Sequence, residues 1–348
     1  MRSLRDLDTW LKANADAGRF SGIVRYDRPG RAPWVRCYGL ADREAKRPVT
    51  PATRFNIGPL DKMFTAVAAM QLVDAGKLSL DDRVARFFRY YPNREVKDLV
   101  TVRQLLTHVS GLGGFRNERY RERKESIRTV TDMLGLFSDE PLAFPPGNRV
   151  AYSDSGYVLL GAILEKLVVE EYYDLVRKAV FQKAGMADTD YPELPAQGTL
   201  VAKGYTSEGG TVRPNLDTLP NRGGPAGGGV STAADLARFA EALRNGRLVS
   251  QSTLDLMTTP ATAGAGSDLG YGLGFGVRED GGRRSFGHGG GAPGVSAELR
   301  MFPATGETIV VLSNRDPGSL EGVLQRLLAA TAGAAAAKAE EAEKARPR

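Results

Sequence analysis

One cysteine, Cys37, occurs in 348 residues, so no disulfide can form within the chain. That scarcity permits a reducing compartment. Two histidines, His108 and His288, stand far apart, and no HExxH or CxxC pattern occurs, so the sequence offers no zinc site. A GxSxG nucleophile elbow is missing, as is a GxxxxGK[ST] phosphate loop. The run "GGPAGGGVSTAADLARF" (223–239) therefore reads as a glycine-rich turn before a helix, and no cofactor is implied. No apolar stretch approaches the ~18 residues that a membrane span requires. The first residues, "MRSLRDLDTWLKANADAGRF", lack the apolar core of a signal peptide. As it stands the sequence reads as cytoplasmic; a periplasmic or secreted chain trimmed of its signal would read the same.

What is present is ordinary for a globular protein: 42% hydrophobic and 25% charged residues. The net charge of +6 is mildly basic, but the densest basic stretch, "RNERYRERKES" (116–126), also carries acids. It reads as a solvated face, and no nucleic-acid partner is expected.

Residues 4–17 set Leu4, Leu7 and Leu11 on one helical face. Strand-like runs at 21–27 and 34–41 flank the turn "RPGRAP" and predict a hairpin. Helices are expected at 60–75, 101–108, 126–138, 156–168 and 172–183. Strands return at 271–279, 284–289, 295–302 and 307–314, and an apolar helix follows at 319–331. Strands at both ends and helices between them predict an α/β (α+β) fold. Its antiparallel sheet is flanked by helices, with a mostly helical lobe beside it. The expected division is one unit over 1–331, with an α/β lobe from 1–58 and 200–331 and a helical lobe from 59–199. The Ala/Glu/Lys tail 332–348 has helix propensity but no apolar face, and is expected to be frayed helix or disordered. A cleft between two lobes is a common site for a small-molecule ligand or substrate.

Three stretches can carry chemistry. In "GPLDK" (58–62), Pro59 suits a first helical position and Asp61 the positive end of the helix dipole. Lys62 there is awkward on an otherwise apolar helix, although lysines near helix starts are usually exposed. In "YSDSGY" (152–157), Asp154 or Ser155 suits an N-cap, with Tyr152 presented beside it. In "FGHGGGAPGVSAEL" (286–299), His288 precedes Gly289, Gly290 and Gly291 at a strand, where glycine permits close backbone approach.

In this order and spacing, together with "LLTHVSGL" and "GGGVSTAADLARFAEAL", these stretches resemble the β-lactamase-related serine hydrolases: class C β-lactamases, DD-peptidases and β-lactamase-like esterases. The likeness covers roughly 4–331 and implies a β-lactamase/transpeptidase-like fold and acyl transfer. In that family a serine opens a helix in an SxxK pattern, and the lysine lies one turn on, on the same face. The serine attacks a carbonyl while the lysine and the tyrosine of a YxN motif manage its proton. A KTG or HxG strand lines the opposite wall, and two backbone N–H groups form the oxyanion hole. The resemblance assigns catalytic roles to Lys62 and Tyr152. It assigns substrate binding to His288, Gly289 and Gly290 as HxG, to Gly291 as the second oxyanion donor, and to Asp154 at the YxN asparagine position.

Two positions depart. Pro59 occupies the serine position, which removes both a hydroxyl and one backbone N–H. Losing one such donor costs a factor of ~100–1000 in rate, and losing a nucleophile ~10⁴–10⁶. Ser153 and Ser155 are near in sequence, but the motif geometry points Ser153 elsewhere. Asp154 replaces an amide that donates and accepts by a carboxylate that only accepts. An ion pair with Lys62 would keep the lysine charged and a poorer base. The resulting expectation is a family member deficient in serine acyl transfer, a ligand-binding protein or pseudoenzyme. The alternatives are an active hydrolase of esters, amides or β-lactams with an engineered or variant nucleophile site, and a non-covalent acid–base enzyme using Tyr152 and Lys62.

Overall fold

The computed structural model describes residues 3–262, 270–280 and 282–344, with side chains left aside at 195 and 333–344. Its centre is a seven-stranded antiparallel sheet built from both ends of the chain. The N-terminal hairpin supplies β1 (Gly22–Asp27) and β2 (Trp34–Tyr38), paired from Gly22↔Tyr38 to Tyr26↔Trp34. The C-terminal part supplies β3 (Gly270–Tyr271), β4 (Gly276–Asp280), β5 (Arg283–Ala292), β6 (Val295–Phe302) and β7 (Glu307–Ser313). The order across the sheet is β2-β1-β7-β6-β5-β4-β3. β7 pairs with β1 from Gly22↔Ser313 to Asp27↔Thr308, which closes the two chain ends into one sheet.

Alternation along the central strands sends side chains to two different cores. Val24, Tyr26, Ile309 and Val311 face helices α1 (Leu4–Asp16) and, near the C-terminus, Glu321–Lys344, where Leu7, Leu11, Val323 and Leu327 are fully covered. Ile23, Val310, Leu312 and Leu299 face the larger core. That core holds α2 (Asp61–Asp74), α3 (Asp154–Val168) and α4 (Ala233–Arg244). Helix Glu321–Lys344 is α5. Between α2 and α4 the chain is mostly helical, in short pieces around α3. Helix α2 has no polar face: every residue from Asp61 to Met70 is buried, the signature of a helix packed on all sides.

Several elements differ from their sequence outlines. The strand expected at 271–279 is broken into β3 and β4 by a tight turn in which Gly274 adopts φ +89°, a left-handed conformation suited to glycine. The helix expected at 126–138 shrinks to Val130–Leu134, started by a capping box between Thr129 and Asp132. The 172–183 helix is α-helical only over Tyr172–Val176, and then widens into a π-turn over Arg177–Gln182. The α5 helix runs on to Lys344, through most of the alanine-rich tail, as its propensity favours; positions 345–348 lie outside the described residues.

Candidate active-site cleft

Three segments converge where α2, α3 and β5 meet. A single 3₁₀ turn, Gly58–Leu60, leads into α2, and Pro59 is its second residue rather than the first helical residue that the sequence suggests. The proline ring faces β5. A methyl group added at Gly290 would lie 2.6–2.8 Å from Pro59 Cγ, Cδ and Cβ, so only glycine fits opposite the ring. β4 stops pairing with β5 at Gly276↔Gly287. Beyond that point, Gly289, Gly290 and Gly291 keep their other neighbour, β6, and present a strand edge that β4 does not cover. Those glycines, with Pro59, Tyr152, Tyr271, Arg278 and His288, line one side of the opening. Asn56, Phe115, Arg116, Tyr120, Ile127, Met133 and Asp154 are among the residues that line the other side, again with Pro59. The proline stands at the junction of the two.

Lys62 is not the exposed lysine that its place near a helix start suggests: it is completely buried. Its ammonium donates to Asp154 Oδ1 and to the Ala226 carbonyl, each at 2.6 Å. It also lies 4.7 Å from the centre of the Tyr152 ring and 5.5 Å from that of Tyr157. Burial opposes ionisation of Asp154, but the charge and hydrogen bond of Lys62 outweigh it and hold the carboxyl below its ordinary value. The pair is thus a charged one, with the carboxylate partly open to the cleft.

Asp154 is not the cap of α3. Ser153 is, accepting from the Gly156 N–H at 3.0 Å while donating to the Gly113 carbonyl at 2.9 Å. The N-cap needs an extended backbone, which Ser153 has and which leaves Asp154 free to turn toward Lys62. Ser153 is therefore committed, and Ser155 is buried in the first turn of α3. Tyr152 projects at the mouth with 45% of its surface exposed. Desolvation where the side chain packs into the cleft, and then the nearby Asp154 charge, push its hydroxyl well above the ordinary value, so the phenol stays protonated.

His288 sits behind the glycines. Its Nδ1 lies 2.7 Å from the Gly289 carbonyl, which can only accept, so Nδ1 carries the proton. Nε2 then accepts from the Tyr271 hydroxyl at 3.0 Å. Burial, with Lys62 nearby, takes its pKa down to about 3, and the ring is neutral.

Four contributors escaped the sequence reading. His108 lies under Tyr152, with ring centres 4.3 Å apart, and its Nδ1 accepts from the Ser153 N–H at 3.1 Å. It adopts φ +60°, unusual for a non-glycine residue, and is fully buried and held neutral by that burial. The pattern "LLTHVSGL" carried the residue but not its place. The glycine-rich run 223–229 forms a cleft wall, strapped to α2 at three points. Lys62 holds the Ala226 carbonyl, Thr65 the Pro225 carbonyl at 2.7 Å, and Asp61 the Gly229 N–H at 2.6 Å. Asp61 is thus buried rather than facing solvent at the helix dipole, and its carboxyl is pushed up to about 7, chiefly by burial. Arg116, the first residue of the basic stretch, reaches the cleft. Among the described residues no group of three or more His, Cys, Asp or Glu converges as a metal site, and no helix is long and apolar enough to cross a membrane.

An antiparallel sheet backed by helices, with a buried lysine at a helix start, a tyrosine before a second helix and a glycine strand around one cleft, is the architecture of the β-lactamase and penicillin-binding class. The chain belongs to the beta-lactamase family, whose model matches residues 7–334. The putative penicillin-binding protein PbpX of Bacillus subtilis (strain 168) is 31% identical over 315 residues, spanning 89% of this chain and 75% of that one. The crystal structure of a penicillin binding protein from Bacillus halodurans superposes with a TM-score of 0.83 at 30% identity, covering 94% of this chain and 99% of the other. A D-amino acid amidase from Ochrobactrum anthropi SV3, solved with L-phenylalanine amide, gives 0.81 at 25% identity over 96% and 99%.

Proposed function

We propose that this chain has left serine acyl transfer and uses its cleft to bind a ligand without forming a covalent intermediate. The observation that carries the reading is the Pro59 ring packed against Gly290, in the gap where a family member would hold its serine and the substrate carbonyl. Proline brings no hydroxyl to attack and no N–H to the oxyanion. The Lys62–Asp154 pair agrees with it. The lysine spends its donors on Asp154 and the Ala226 carbonyl, and a carboxylate stands where an amide would donate to a substrate. Tyr152, His288 and the Gly289–Gly291 edge remain as binding surface.

The test is acylation. The protein is incubated with a fluorescent penicillin and a fluorophosphonate, and assayed with nitrocefin and p-nitrophenyl esters. The expected outcome is no covalent adduct by mass spectrometry and no turnover above buffer. A stoichiometric adduct, or turnover abolished by Tyr152→Phe, would overturn the reading.

A further inference from the structure

We infer that the cleft takes a small monoanionic ligand, an aryl or alkyl carboxylate, with its carboxylate on Arg116 and its apolar body on Phe115, Tyr120, Ile127 and Met133. The inference deepens the ligand-binding reading and rests on it.

Charge balance among the groups that line the opening leaves one of them without a partner. Asp154 is neutralised by Lys62 at 2.6 Å. Arg278, on the far side of Pro59, belongs to a cluster with Glu298, Arg300 and Asp280 in which the charges cancel: Glu298 lies 3.9 Å from Arg278 and 2.8 Å from Arg300, and Arg300 also pairs with Asp280. His288 and Tyr152 are neutral. Arg116 is left. It is exposed at the lip, and among the described residues its guanidinium has no carboxylate partner. It lines the cleft together with Asp154 and Tyr120, and its charge acts on both and on Tyr152.

A guanidinium fork presents parallel donors that match a carboxylate or a phosphate. With Asp154 already neutralised by Lys62, one free arginine balances one charge, which favours a monoanion over a dianion. Phe115, Tyr120, Ile127 and Met133 line the same part of the cleft as Arg116, and their exposed edges, chiefly those of Phe115 and Tyr120, are the apolar surface offered to the rest of the molecule.

The experiment is calorimetric titration, at low ionic strength and pH 7, of 4-phenylbutyrate and its neutral isostere 4-phenylbutyramide. The expected result is binding of the carboxylate about two- to fivefold tighter than the amide, as an ion pair with an exposed arginine at low ionic strength predicts. Arg116→Gln is expected to remove that preference without changing the weak affinity for the amide. Arg121→Gln, an exposed arginine nearby that does not line the cleft, is expected to leave the preference intact. Equal affinity for acid and amide, no binding of either by the parent, or a preference that survives Arg116→Gln would each overturn the inference. Acylation of the parent protein would instead sink the non-covalent reading and leave the Arg116 preference to be judged on these titrations.

Discussion

Asp61 offers the sharpest quantitative test of how the site is built. Its carboxyl is fully buried at the start of α2, accepts the Gly229 N–H, and faces Tyr191 and the Lys62 charge. Burial dominates these influences and lifts its pKa from 3.8 to about 7. The sign follows from linkage. Below pH 3.8 the group is protonated in both folded and unfolded chains and contributes nothing. As pH rises the unfolded chain ionises first, so folding loses stability up to about pH 7 and levels off above it. At about 1.4 kcal/mol per pH unit, the gap corresponds to an upper figure of roughly 4 kcal/mol. Asp61→Asn keeps an oxygen for Gly229 and removes the ionisation. Urea unfolding at pH 4, 5.5, 7 and 8.5 is expected to show the variant gaining about 2–4 kcal/mol at pH 7 and 8.5, with the difference shrinking toward pH 4. A variant less stable than the parent at pH 8.5, or a gain independent of pH, would refute the reasoning and mean that the Gly229 strap depends on the carboxylate.

Two further substitutions probe packing and strain. Val169 ends α3 in the left-handed region at φ +57° with 90% of its surface exposed, so Val169→Gly removes a backbone penalty of ~1–2 kcal/mol at little packing cost and should raise the urea midpoint by about 1 kcal/mol in stability; an unchanged or lower midpoint would count against it. Gly290→Ala should cost ~1–3 kcal/mol by overpacking against the proline ring, and distinctly less in a Pro59→Ser background, so a double-mutant cycle with no coupling would show that the ring is not the obstacle.

The sheet, the N-terminal hairpin and α2 and α3 were legible because their periodicity is set by burial on one or both faces. Strand β7 reads as the apolar run "ETIVVLS" because it is covered on both sides. The break between β3 and β4 was not legible, since "YGLGFGVRE" keeps a strand-like alternation through a turn that only Gly274 reveals. At the site, Pro59, Lys62, Tyr152, Asp154 and the His288–Gly291 run were picked out by their resemblance to the family's motifs, and the structure brings them together around one cleft. Asp61, His108 and Arg116 were not found as site groups. Asp61 fits an ordinary helix start, Arg116 hides in a mixed-charge stretch, and the left-handed backbone of His108 has no local sequence signal.

Pro59 against Gly290 and Lys62 on Asp154 meet in one cleft, which bears on how substitutions there would act. Pro59→Ser alone would supply a hydroxyl but leave Lys62 hydrogen-bonded at 2.6 Å to the Asp154 carboxylate. Asp154→Asn alone would free the lysine from that charge but offer it no hydroxyl to deprotonate. Each single substitution therefore changes only one of the two groups, and groups that act as a unit respond non-additively. The glycine wall adds a third tie, because the same lysine holds the Ala226 carbonyl while Asp61 and Thr65 hold its neighbours. Withdrawing Lys62 for catalysis would loosen a wall of the cleft. The ammonium that pairs with Asp154 is the same one that keeps this wall of the cleft in shape.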